Sequence, residues 1–332
     1  MKVLVVGAGV IGSFNAARLK GAGHDVSLLA RGRRLADLRE HGVVLEDYRT
    51  GRQTVTHVPL VDRLGPEDRY EMAIVVVRRN QIASILPTIA QNPRIPSVLF
   101  LGNNAAGPQD MVAAVGPERV LIGLGNAGGE RRGHVVRYVW PRWVSLPFNT
   151  WDDAPSPCTK TIVGLFRSAS LRAHVQPHMD AYLKTHAAGL PPFAGALYSV
   201  GGNIHTLAHT PDALRWFVRS YREGLHALRC VGIPVTPSAV RLIEWIPESI
   251  VARCLRWFFD TRLAVVGGER HANAAVDEMK TIADEFRAIL RQAGRPCPAS
   301  DRLYAAVDAR FQARTGDVPN SETGGVGEEN RG

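Results

Sequence analysis

Near the start of the chain, Gly7-Ala8-Gly9-Val10-Ile11-Gly12 has the spacing G-x-G-x-x-G. In the right setting that spacing lets backbone N–H groups close on a pyrophosphate. Gly7 would make the tight turn, Gly9 would let the backbone approach the phosphates, and Gly12 would let the following helix pack against its strand. Val10 and Ile11 lie in the first turn, where unpaired N–H groups and the positive dipole end favour an anion. The setting is present. Residues 2–6 (KVLVV) read as a buried parallel strand, 13–21 as a helix and 25–30 as a second strand. The second strand runs into Arg31-Gly32-Arg33-Arg34 with none of the Asp or Glu that an NAD ribose would need. Three arginines there could clamp a 2′-phosphate, so the expected cofactor is NADP, as NADPH.

Lysine occurs five times against 35 arginines, which makes Lys184 worth weighing. Its helix carries an apolar stripe of Met179, Tyr182, Leu183, Ala187 and Leu190, with Lys184 on the other side beside Ala181 and Ala188. Two alanines make a poor solvated face and point to a wall or ligand close by. An ammonium can be tuned to release a proton, which arginine cannot do. Lys184 could therefore protonate the alkoxide that forms when a hydride reduces a ketone. The competing reading is a surface lysine. His186, inside the stripe, reads as a hydrogen-bonded core histidine. Farther on, Glu278 and Glu285 flank the apolar face of a long helix, and spacing favours neither as catalytic.

The composition bounds the function. A chain of 332 residues is long enough for two domains. Net charge is +9, but the charges are scattered, with no basic run or RNA-binding aromatic pattern, so nucleic-acid binding is not expected. Attraction of an anionic cofactor and substrate accounts for the sign. Cys158, Cys230, Cys254 and Cys297 form no C-x-x-C and have no zinc-type histidine spacing; no metal is expected, and reduced thiols point to the cytoplasm. No apolar run reaches membrane-spanning length. A secretory reading of the first residues fails because glycines interrupt the apolar stretch and Arg18 and Lys20 follow it.

The positioning elements follow in order. Further strands are expected at 43–46, 53–58, 72–77, 96–101 and 120–124, and helices at 35–41 and 81–91. The loop 102–107 should lie at the carboxyl edge of the sheet, where ligands sit. Residues 125–133 read as a glycine-rich turn, and 135–139 with 142–146 as an edge hairpin. Strand signals then stop. Helices are expected at 159–170, 179–190, 212–231, 237–246, 248–259, 271–293 and 301–313. The fold class is an α/β Rossmann-type doubly wound parallel sheet followed by an all-α domain. Its expected divisions are 1–174, 175–313 and a disordered tail at 314–332.

The combined pattern resembles the ketopantoate reductase (2-dehydropantoate 2-reductase) family across about residues 1–308. The matching points are the GAGVIG loop, Arg31, Arg78 after a later strand, the LGNN loop with Asn103, Tyr182-Leu183-Lys184, and Asp277-Glu278-Met279. The resemblance implies an NADPH-dependent oxidoreductase in pantothenate biosynthesis, with a small carbonyl substrate between the domains and a homodimer formed through the helical one. It makes Lys184 and Glu278 catalytic and assigns Gly7, Gly9, Val10, Ile11, Gly12, Arg31, Arg78 and Asn103 to the cofactor. Asn103, Ala188 and Pro192 fall at substrate positions. The departures concern the substrate: the family's two asparagines beyond the lysine fall on Ala188 and Pro192, and its substrate-contacting serine on Val266. They point to a more apolar pocket and keep open a bulkier ketone or imine, or a non-catalytic NADP-binding redox sensor.

Overall fold

The computed structural model describes residues 1–316. The larger sheet contains β1 (Lys2–Val6), β2 (Asp25–Leu29), β5 (Leu60–Val61), β6 (Met72–Val75), β7 (Val98–Leu101), β8 (Val120–Gly123), β11 (Leu146–Thr150) and β12 (Ala173–Val175). Their order is β12-β11-β8-β7-β6-β1-β2-β5. Pairing from β8 through to β5 is parallel, and β11 joins β8 antiparallel. The central strands β6, β7 and β8 are buried along their whole length, as continuous apolar runs in a sheet covered on both faces should be.

Helices supply the two covers. On one side α1 (Val10–Gly21), α2 (Gly32–His41) and α5 (Pro157–Ser168) bury Phe14, Leu38 and Phe166. On the other, α3 (Ile82–Ala90), α4 (Gln109–Val115) and α6 (Met179–Ala187) bury Ile85, Met111 and Leu183. A second sheet, in the order β4 (Gln53–Thr56), β3 (Val43–Asp47), β10 (Val135–Val139), β9 (Gly128–Arg132), lies beyond α1. Thus α1 is packed from both sides.

The remaining helices form their own core. They are α7 (Leu190–Ser199), α8 (Ile204–Ala208), α9 (Pro211–Cys230), α10 (Glu248–Phe259), the short α11 (Arg262–Ala264), α12 (Arg270–Ala274), α13 (Val276–Ala293) and α14 (Pro298–Gly316). Leu197, Leu228, Phe286 and Tyr304 meet at its centre. Glu223 of α9 caps α14 by accepting from the N–H groups of Ala299 (3.0 Å) and Ser300 (2.8 Å).

The fold class expected from the sequence is borne out, with local corrections. The glycine-rich stretch is not a turn: 128–132 is β9, and it pairs with β10 in place of 142–146. The strand expected at 142–146 begins instead at Leu146 and belongs to the large sheet. Residues 237–246 give a 3-10 helix at Ser238–Glu244. The helix expected over 271–293 breaks at Ala275, between α12 and α13. Helix α7 was hidden by Pro191 and Pro192, which sit harmlessly in its first turn. The expected disorder at 314–332 is corrected at its start, since α14 runs on through Gly316; the rest lies outside the described residues.

Helices α7 and α14 touch through Gly195, where a Cβ would come 2.1 Å from the Leu303 carbonyl oxygen. We expect Gly195→Ala to destabilise the protein by about 1–3 kcal/mol, the usual cost of overpacking. Urea unfolding followed by circular dichroism should show a lower midpoint; an unchanged midpoint would mean that the two backbones can separate freely.

Candidate functional site

The strand order reverses at β1, which lies between β2 and β6. Loops leaving neighbouring strands at such a point diverge and open a crevice. Here the loops after β1 and β6 touch: Gly7 has φ +106°, and a Cβ on it would lie 2.3 Å from the Val76 carbonyl oxygen. A Cβ on Gly12 would overlap the Gly7 carbonyl oxygen at 1.9 Å, whereas one on Gly9 would meet nothing within 4 Å. So Gly7 and Gly12 are required by packing, and Gly9 leaves the crevice open.

No side chain caps α1, and its first intrahelical bond runs from the Ser13 N–H to the Gly9 carbonyl. The N–H groups of Val10, Ile11 and Gly12 therefore precede the helical ladder. Gly125, beyond β8, packs on Ile11. The next residue, Asn126, is buried with neither side-chain polar atom partnered. An open helix start with an unsatisfied amide beside it fits a dinucleotide phosphate and its flanking polar groups.

The arginine turn divides. Arg31 and Arg33 are exposed, with Arg31 reaching Thr88 Oγ1 at 3.4 Å. Arg34 is buried. Its guanidinium donates to the carbonyls of Ala8 (3.1 Å) and His134 (3.1 Å) and to Ser13 Oγ (3.2 Å). Burial pushes its pKa down to about 10, which still leaves it protonated. Of the three arginines expected at a 2′-phosphate, only Arg31 and Arg33 are exposed. Arg34 instead braces the glycine loop against the second sheet.

Opposite the crevice a polar seam joins the sheet loops to α12 and α13. Arg78 donates to Asp277 (3.0 and 3.3 Å) and to the Ala274 carbonyl (2.9 Å), which the helix break at Ala275 exposes. Burial opposes the charge on Asp277, but Arg78 and a hydrogen bond from Asn80 outweigh it and hold the carboxyl below its usual range. Arg79 is buried between Glu285 (2.6 Å) and Asp110 (2.9 Å). Glu285 also accepts the N–H groups of Ala105 (3.1 Å) and Ala106 (3.2 Å), fixing the asparagine loop.

Glu278 is 3% exposed. Its Oε1 accepts from Asn103 Nδ2 (3.2 Å) and the Arg79 N–H (3.3 Å), while His271 Nε2 stands 3.7 Å from Oε2. The structure therefore brings together Asn103 and Glu278, which the sequence places 175 residues apart. His271, Arg79 and Glu285 belong to the same cluster. Sequence reasoning left Glu285 undecided and missed the other two, whose roles depend on tertiary partners.

Lys184 lies against the same loop from α6. A Cβ on Gly107 would come 3.4 Å from its Nζ, and Asn104 shapes that corner by bonding both the N–H and the carbonyl of Gly107. The ammonium is largely buried and paired with Asp180, whose other oxygen has no partner. The i,i+4 spacing could have revealed Asp180. Two positions need correction. Ala188 is 0% exposed, packed on Gly224, and Pro192 is buried, so neither presents surface to a substrate. Val266 is likewise buried. His186 differs in the other direction. The residue is exposed, not part of the core, while neighbouring protein still partly desolvates the ring. That desolvation, with the nearby His271 charge, pushes its pKa down to about 4.

Together the fold and crevice define a Rossmann-type α/β protein with a helical second domain. Residues 3–146 match the model of the family described as "Ketopantoate reductase PanE/ApbA". The "Uncharacterized oxidoreductase YkpB" of Bacillus subtilis is 29% identical over 126 residues, covering 37% of this chain and 40% of that protein. The match therefore spans less than half of that relative. Among solved structures, a PanE/ApbA family ketopantoate reductase from Ralstonia eutropha superposes with a TM-score of 0.73 at 17% identity, covering 95% of this chain and 100% of the other. D-mandelate dehydrogenase with NADH and anilino(oxo)acetate gives a TM-score of 0.77 at 18% identity, over 95% and 99%. The fold likeness runs through both domains. Among the described residues no helix is long and apolar enough to cross a membrane.

The histidine yields a prediction. An unfolded His186 titrates near 6.5, the folded one near 4. Between those values the unfolded chain binds a proton that the folded chain does not, so stability falls as pH drops from about 6.5 toward 4. Urea midpoints at neutral and mildly acidic pH should therefore differ more in wild type than in His186→Asn. An equal loss in both would remove His186 as a source of acid lability.

Proposed function

We propose that this protein is a nicotinamide-dependent oxidoreductase that uses NADPH to reduce a 2-oxo acid or related carbonyl compound to the hydroxy compound. The observation that carries this reading is the buried Glu278 held by Asn103 and the Arg79 N–H, beside the crevice at which the glycine loop opens. The family match over residues 3–146 supports it. When bound, the cofactor supplies the hydride. Gly7, Gly9, Val10, Ile11 and Gly12 hold its pyrophosphate, and the exposed Arg31 and Arg33 receive its 2′-phosphate.

Asn103 orients the reacting centre, and Glu278 fixes Asn103 and takes a substrate hydroxyl or the polar network around it. Lys184 donates the proton to the carbonyl oxygen, with Asp180 holding the ammonium in place. Arg78 acts mainly as a tie between domains, since Asp277 and the Ala274 carbonyl already engage it, and reaches the cofactor with what remains of its donor set.

Ketopantoate and aryl-substituted 2-oxo acids are the substrates to try. The likeness to D-mandelate dehydrogenase with NADH and anilino(oxo)acetate is the reason to include the aryl-substituted compounds. With NADPH saturating, absorbance should fall when one of these acids is added. Lys184→Ala should lower the turnover number by about 10²–10⁴-fold, the usual weight of a general acid. Cofactor binding with no turnover on any carbonyl compound would favour a redox sensor instead.

Arg31→Ala tests the cofactor assignment separately. It should weaken NADPH by about 1.5–3 kcal/mol, the range for hydrogen bonds to a charged group, and leave NADH nearly unchanged. Equal losses by fluorescence titration would sink the 2′-phosphate contact.

A further inference from the structure

In the helical domain, His205 on α8 and His209, the residue just past its end, lie one turn apart, with ring centroids 4.4 Å apart. Asp260, just past the end of α10, completes the group. His205 Nδ1 is 2.8 Å from its Oδ1, and His209 Nδ1 is 3.8 Å from the same oxygen. One donor atom from each residue lies within 4.8 Å of the others. All three residues are exposed.

We propose that His205, His209 and Asp260 form a binding site for a divalent transition-metal ion of the zinc class. Two imidazoles and one carboxylate are a donor set suited to zinc, and three protein ligands leave one position for water. Calcium and magnesium prefer shells of oxygen and gain little from two imidazoles.

The environment of Asp260 supports the assignment. In a chain with 35 arginines, its only ionic partners among the described residues are the two histidines. The backbone beneath is held in place. Asn203 caps the Thr206 N–H at 2.9 Å, and Glu269 accepts the Ile204 N–H at 2.7 Å. Zinc bonds of about 2.0–2.2 Å put tetrahedral ligand atoms roughly 3.3–3.5 Å apart, so His205 must draw back from Asp260 and His209 move toward it, each by about 0.5 Å. Exposed rotamers can make that move without disturbing α8. Cysteine spacing predicts no zinc site, and this one needs no cysteine; its third ligand comes from 51 residues beyond His209.

A metal here would tie α8 to the end of α10. The chain then runs from Asp260 through α11 into the π-helical turn Val265–Glu269, which contains Val266. None of the three residues belongs to the cluster around Glu278, so the test does not depend on the proposed reductase activity.

Tag-free protein stripped with EDTA and dialysed should take up one zinc ion per chain by isothermal titration calorimetry. Its melting temperature should rise with zinc and not with magnesium. His205→Ala and Asp260→Ala should each weaken uptake by about tenfold or more, and the His205→Ala/His209→Ala double variant should abolish it. These residues are exposed, and circular dichroism in EDTA should show the variants folded like wild type. Absence of uptake by the wild type would overturn the proposal. So would one-to-one binding that survives in the double variant.

Discussion

A buried charge must find a counter-charge, and in this protein that requirement joins the two halves of the molecule. Arg79 is enclosed between Glu285 of α13 and Asp110 of α4, while its own N–H reaches Glu278. Breaking such a pair by removing one partner leaves an uncompensated ion and costs about 3–5 kcal/mol. The helical domain therefore cannot shift on the sheet without stranding a guanidinium or a carboxylate. Asn103 and the Ala105–Ala106 corner are held by these same carboxylates. The geometry of the crevice follows from where the charges can be satisfied.

The glycine loop depends on a second buried arginine. Gly7 and Gly12 approach so closely that no side chain fits, which sets the path of the loop but does not fasten it. Arg34 does that by joining Ala8, Ser13 and the His134 carbonyl. Helix α1 is consequently held between the two sheets, and its open start faces the crevice in a fixed direction. The arginine beside it in sequence, Arg33, remains exposed. Adjacent residues of one type thus serve packing and solvent, and only the fold separates them.

What could be read in advance was local in origin. Strands β6, β7 and β8 are continuous apolar runs, as is β1 after Lys2, and the glycine spacing follows from backbone geometry, so both show in the chain itself. Elements whose identity comes from a partner did not. Strand β9 is a glycine-rich run that becomes a strand because β10 pairs with it, and Gly128 lies close against Gly267, where a Cβ would come 3.3 Å from the Gly267 Cα. Glu278 and Glu285 flank an apolar stripe and so read as solvated, yet both are drawn into the seam by groups about 200 residues earlier. His186 sits among apolar neighbours in sequence but is accessible in the structure. Ala188 and Pro192 were placed in the site by resemblance alone, and packing withdraws both.

That withdrawal bears on recognition. The resemblance puts polar groups at the positions of Ala188, Pro192 and Val266, and this chain has closed all three into its core. A ligand entering between the domains can no longer be held there by hydrogen bonds. The polar atoms left are those of Asn103, Glu278, His271, His186 and the Lys184–Asp180 pair, gathered toward the sheet loops. Lowered below neutrality, His186 presents an uncharged imidazole that can both donate and accept. Polar recognition is thus concentrated at one end of the cleft. Those groups are tied to one another by the seam, so their positions follow from the packing of α6 and α13 on the sheet loops.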